Sequence, residues 1–78
     1  MHNMETRLTR RYQTYGIMVV MENDGGTSVW EVYYKLTHYP WTFAFGLPVK
    51  PYRPEDVFDI AESNFDIFSD GLFNDEED

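Results

Sequence analysis

Between Pro54 and Asp70 the chain reads P-E-D-V-F-D-I-A-E-S-N-F-D-I-F-S-D, and its polar and apolar residues separate at a helical period. At about 100° per residue, Glu55, Asp56, Asp59, Glu62, Asp66 and Asp70 fall within an arc of roughly 120°. Val57, Phe58, Ile60, Ala61, Phe65, Ile67 and Phe68 fill the opposite half, and only Asn64 is out of place among them. The pattern predicts one amphipathic α-helix, with one face built for a core and the other for a different use. That other face holds six carboxylates and no cation. It gains no Glu-to-Lys pairing along the helix and bears its own repulsion. Any fold open to this chain must offer a broad apolar surface to the first face and leave the second free.

A chain of 78 residues is one domain, and at that size only about 60% of the surface exposed on unfolding is buried. There is no cysteine, hence no disulfide or thiolate zinc site, which points to a reducing compartment such as the cytosol. Aromatic residues, 18% of the chain, must then supply much of the buried area. The longest apolar run, Ile17 to Met21, is far below the roughly 20 residues a membrane span needs, so a soluble protein without a membrane partner is expected. The net charge of −8 is unevenly spread: residues 1–53 hold six basic and four acidic side chains, whereas 54–78 hold ten acidic and none basic. This balance argues against direct binding of nucleic acid or an anionic membrane, both negative themselves, and favours basic protein surfaces.

The sheet that receives the helix is legible in the first half. Tyr12 to Glu22 and Thr27 to Thr37 are rich in β-branched and aromatic residues and read as two strands. Asn23-Asp24-Gly25-Gly26 between them is a hairpin turn signal. An Asp24-Gly25 turn pairs Val19 with Trp30 and Ile17 with Val32. A Gly25-Gly26 turn shifts partners by two and keeps the parity, so Ile17, Val19, Met21, Trp30, Val32, Tyr34 and Leu36 share a face either way. Trp41, Phe43, Phe45 and Leu47 alternate with Thr42, Ala44 and Gly46 and predict a third strand with one bulky face. Met1 to Arg11 reads as a loosely ordered lead-in or the start of the first strand. Tyr39-Pro40 is a candidate cis peptide. Pro48, Pro51 and Pro54 give an extended connector, the last suited to a first helical turn, and Gly71 supplies a stop. The expected fold is α+β: a three-stranded antiparallel meander whose Trp30, Val32, Tyr34, Phe43 and Phe45 face packs on one C-terminal helix, followed by an acidic tail, Asn74 to Asp78.

Catalytic chemistry has little to build on. His2 lies at the start of the chain and His38 in the turn before Pro40, with no cysteine beside either. Acid–base pairs need environments that separate their pKa values, which six carboxylates on one exposed face lack. Gly25-Gly26 joins strand to strand and belongs to no phosphate-binding motif. No enzyme and no cofactor is expected. Asp66, Asp70, Gly71, Asn74 and Glu77 match part of an EF-hand loop, but Phe68 stands where a ligand oxygen belongs. Calcium is therefore expected to bind weakly at most, and no metal site is assigned.

The helix and tail are more informative as a field. Six carboxylates over about 24 Å of helix place one charge per roughly 4 Å, close to the 3.4 Å spacing of phosphates along one DNA strand. The candidate partner-binding residues are therefore Glu55, Asp56, Asp59, Glu62, Asp66 and Asp70, with Asp75, Glu76, Glu77 and Asp78 of the tail.

In its size, its lack of cysteine, and its pairing of a small sheet with an acidic helix and the tail Asn74-Asp75-Glu76-Glu77-Asp78, the chain resembles the small anti-CRISPR proteins of phages that act as DNA mimics. The resemblance lies in general character over the whole chain and includes no diagnostic motif. It implies a monomeric inhibitor, acting in the bacterial host cell, that binds a basic DNA-handling surface of a Cas effector and blocks target DNA. An inhibitor of another nucleic-acid enzyme, such as a restriction endonuclease, has the same physical character. A module that docks through its aromatics and binds calcium weakly is the alternative of a different class.

Overall fold

Two positive-φ glycines set the geometry of the sheet. Gly25 and Gly26, at φ 62° and 88°, form the two-residue turn whose twist matches that of paired strands. In the computed structural model, which describes residues 6–73, this turn joins β2 (Gly16–Asp24) to β3 (Thr27–Lys35). The shifted register is the one adopted: Ile17 pairs with Tyr34, Val19 with Val32 and Met21 with Trp30. The shared face survives, as the period of two requires. Ile17, Val19, Val32 and Tyr34 are completely buried and Trp30 is 4% exposed, with Met21 and Leu36 packed at the margin.

The sheet has four strands, not three. β1 (Thr6–Arg11) is a strand in its own right and pairs antiparallel with β2, Leu8 opposite Val19 and Arg10 opposite Ile17. Arg7, Thr9 and Arg11 carry too little hydrophobicity to announce a strand, but an edge strand needs little. β4 (Thr42–Pro48) pairs with β3 on the far side, giving the order β1-β2-β3-β4.

A bulge corrects the expected face of β4. Val32 pairs with Phe45, but the next residue, Tyr33, pairs with Phe43, so Ala44 is the extra residue. An inserted residue inverts the alternation beyond it. Phe45, Leu47 and Ala44 pack against the core, whereas Phe43 is 49% exposed on the opposite face, its ring edge-on to Tyr33 at 5.6 Å.

After Pro48 a turn over residues 49–51 leads to the helices. The cis peptide is Lys50-Pro51, not Tyr39-Pro40. Two helices replace the one expected: α1 (Pro54–Ser63) and α2 (Phe65–Phe73). The joint is Asn64, whose side-chain amide and backbone N–H both donate to the Ile60 carbonyl, at 2.8 and 3.0 Å. A side chain that competes for a helix carbonyl ends or bends the helix there. α2 then runs through Gly71, which does not stop it. Val57, Phe58 and Ala61 of α1 are buried on the sheet. Phe65 stacks on Tyr15 and Phe68 on Phe45, with ring centroids 3.7 and 4.7 Å apart. Ile67, expected in the core, is 69% exposed because the joint rotates it away. The α+β class holds, with both helices on one face of the sheet. Among the described residues no helix is long and apolar enough to cross a membrane.

Candidate functional site: the acidic helical surface

Pro54 opens α1 at its first helical position, where a missing N–H costs nothing. Arg53 precedes it with an extended backbone and has no side-chain acceptor to offer the helix. The reverse bond forms instead: the Asp56 carboxylate accepts the Arg53 backbone N–H at 3.1 Å. Asp56 is thereby committed to closing the helix start, where the dipole also favours it. Glu55 lies 3.7 Å from the Arg53 guanidinium, both side chains largely in water. Such a pair is worth about 0–1 kcal/mol.

Glu62, at the other end of α1, is tied to the sheet. The Tyr12 hydroxyl donates to its Oε2 in a short hydrogen bond, and Arg10 Nη1 lies 3.4 Å from the same oxygen. Arg10 also places its guanidinium 4.3 Å from the Phe58 ring centroid, an arrangement that gains from the ring quadrupole. Burial, and then the bond to Glu62, push the Tyr12 phenol up to about 12. Glu62 therefore fastens α1 to β1 and to the turn that follows it. That role was invisible in the sequence because it depends on Arg10 and Tyr12, 52 and 50 residues away.

Asp59, Asp66 and Asp70 are exposed. Asp59 and Asp66 make no ion pair among the described residues, and the field of Asp66 reaches Tyr15, whose phenol is raised first by burial and then by Glu62 and Asp66. Of the six expected carboxylates, Asp56 thus closes the helix start and Glu62 ties α1 to the sheet, Glu55 adds a weak exposed pair with Arg53, and Asp59, Asp66 and Asp70 face water. The break at Asn64 divides them again between two axes: α1 carries four carboxylates within about 10 Å of rise, and α2 two. Residues 54–73 contain no cation.

Asp66 and Asp70, considered as calcium ligands, lie within α2 and not on a loop, and no cluster of three or more metal-binding side chains occurs among the described residues. Asn74, Asp75, Glu76, Glu77 and Asp78 lie outside the described residues, as does His2. His38 is exposed in the turn after β3. No protein family, curated protein or solved structure matches this chain.

Proposed function

We propose that this chain is an inhibitor that lays its helical surface on a basic, nucleic-acid-handling groove of an effector protein, in the manner of the small phage anti-CRISPR proteins it resembles. The observation that carries the reading is the lone-signed surface made by α1 and α2. Asp59, Asp66 and Asp70 face solvent on two consecutive helices that contain no lysine or arginine. Solubility alone is served by mixed charge, and six cations elsewhere in the chain were available for it. A groove lined with lysine and arginine gains from such a surface in steering and in specificity.

The division of the carboxylates decides which residues test the proposal. Reversing Glu62 would break its bonds to Tyr12 and Arg10 and disturb the docking of α1, so loss of binding by that variant would carry no information. Asp59 and Asp66 have no such duty. The double variant Asp59→Lys, Asp66→Lys is expected to melt close to wild type and to lose its competition with DNA for purified Cas effector complexes. Raising the salt concentration should weaken wild-type binding steeply, because screening acts on every pair at once. Undiminished inhibition by the folded double variant overturns the mimicry reading.

A further inference from the structure

The face of the sheet turned away from the helices has a different chemistry. At its end near the β1–β2 turn, Trp41 lies against the backbone of Gly16, where a Cβ would meet its ring at 3.1 Å. The Arg11 guanidinium sits 5.8 Å from the same ring's centroid. Phe43, half exposed, stands beside it on Tyr33. No other described element packs on this face. It is a row of aromatic rings, Phe43 exposed and Tyr33 and Trp41 partly buried, with a cation at one end.

A cavity of about 150 Å³ opens at that end, between the turn of residues 12–15 and the stretch 35–37. Arg11 and Lys35 line it, with Gln13, Thr14 and Thr37 as neutral polar groups and no carboxylate. Lys35 is held in place because its Nζ donates to the Leu36 and Tyr39 carbonyls at 3.2 and 2.9 Å. An ammonium has three N–H donors, so one remains to be offered. Of the carboxylates of this face, Glu22 sits toward the other end of the strands, and Glu31, at the middle of β3, accepts a hydrogen bond from the Tyr33 hydroxyl at 3.0 Å, next to the aromatic row. In a chain of net charge −8, a cavity lined by two cations and no anion is built for an anion. Gly16, Arg11 and Lys35 join it to the aromatic row.

We propose that this cavity and the aromatic row bind single-stranded nucleic acid: a backbone phosphate enters between Arg11 and Lys35, and the neighbouring bases stack on Trp41 and Phe43. A single strand is specified because only unstacked bases can lay their faces on rings that project from a sheet. A protein partner's apolar patch would leave the cavity's cations uncompensated. The overall negative charge opposes approach, and Glu62 comes nearest, bonded to the hydroxyl of Tyr12, a residue that also lines the cavity. Phe43 and Tyr33 lie on the face of the sheet turned away from the helices. Stacking, which is short-ranged, then carries most of the affinity.

Fluorescence anisotropy with a labelled oligothymidylate tests this, with the duplex of the same length and inorganic phosphate as competitors. The strand should bind and the duplex should not. Phosphate should compete only weakly, since it fills the cavity and leaves the rings empty. With one or two phosphates contacted, the salt dependence should be shallow, about −0.7 per phosphate on a log–log plot. Phe43→Ala should weaken binding roughly fivefold to a hundredfold, the range for one stacked base, and Arg11→Gln should flatten the salt slope. The Asp59→Lys, Asp66→Lys variant should bind the strand at least as well as wild type, which keeps this site separable from the helical one. Absence of strand binding, or equal binding by a folded Phe43→Ala protein, overturns the proposal. So does loss of a protein target's binding on Phe43→Ala when no strand binds, an outcome that would make the row a protein interface.

Discussion

The two faces of the sheet are built from the same four strands and nearly the same residue types, yet one is a core and the other a surface. On the covered face Ile17, Val19, Val32 and Tyr34 are fully buried, and every aromatic finds a helical partner or a carbonyl. On the other, Val20 is the one buried hydrophobic side chain among the described residues, at 4% exposure, while Phe43 stands half in water. Charge divides the same way. The helices over the covered face carry carboxylates without cations, with Arg10 of β1 turned toward them, whereas Arg11 of β1 and Lys35 of β3 line the cavity at one end of the bare face. A net charge of −8 therefore describes neither side. An acidic balance excludes anionic partners only for the surface that carries the acid.

The largest expected effect lies at the centre of the covered face. Trp30 is 4% exposed and its indole N–H donates to the Tyr52 carbonyl at 3.0 Å, holding the connector against the sheet. Trp30→Ala should cost about 3–5 kcal/mol, enough to unfold a small domain without disulfide or metal. A thermal melt near that of wild type would show that this face is not the core.

Tyr34 gives the next effect and a pH dependence. Its hydroxyl, fully buried, donates to the Ala61 carbonyl of α1 at 2.6 Å. Tyr34→Phe leaves that carbonyl without its side-chain donor and should cost about 1–3 kcal/mol by denaturant titration. Burial raises the Tyr34 phenol to about 12, and Tyr12 is raised to the same value. A tyrosine raised in the folded state favours folding while the unfolded phenol is still protonated. That contribution is complete below about pH 10 and is lost as pH rises from there through about 12. Melting temperatures should fall across that window, and Tyr12→Phe should fall less steeply. A flat profile would mean that neither phenol is held neutral by the fold.

Much of the covered face could be read in advance, because a hairpin shifted by two residues keeps its parity and the amphipathic stretch states its own period. What escaped the reading was non-local or compensated. The bulge at Ala44 leaves no mark in a sequence that alternates as cleanly as Trp41 to Leu47, yet it moves Phe43 to the other side of the sheet. β1 is nearly all polar and becomes a strand by pairing with β2. Asn64 was visible as an irregularity among apolar residues, but its consequence, a second helix axis, depends on a hydrogen bond to Ile60. The acidic residues were all legible as a row. What each of them does was not, since that is decided by Arg10, Tyr12 and the backbone at Arg53.

The smallest effect sharpens the comparison most, because it uses two phenylalanines separated only by Ala44 in the same strand. Phe45 is part of the core's margin and stacks on Phe68 of α2 at 4.7 Å. Phe43 touches Tyr33 edge-on and is otherwise half in solvent. Truncating Phe45 removes contacts to a helix and opens space beneath it, so Phe45→Ala should approach the cost of a core deletion, about 3 kcal/mol. Truncating Phe43 forfeits one aromatic pair, worth about 0.5–1.5 kcal/mol, and opens no cavity. Measured in one denaturant series, the two variants should therefore differ by about 2 kcal/mol. Equal losses would restore unbroken alternation along β4, remove the bulge, and return Phe43 to the core. A near-neutral Phe43→Ala would instead leave a large aromatic ring on the surface that contributes little to folding, which is the condition a stacking platform requires.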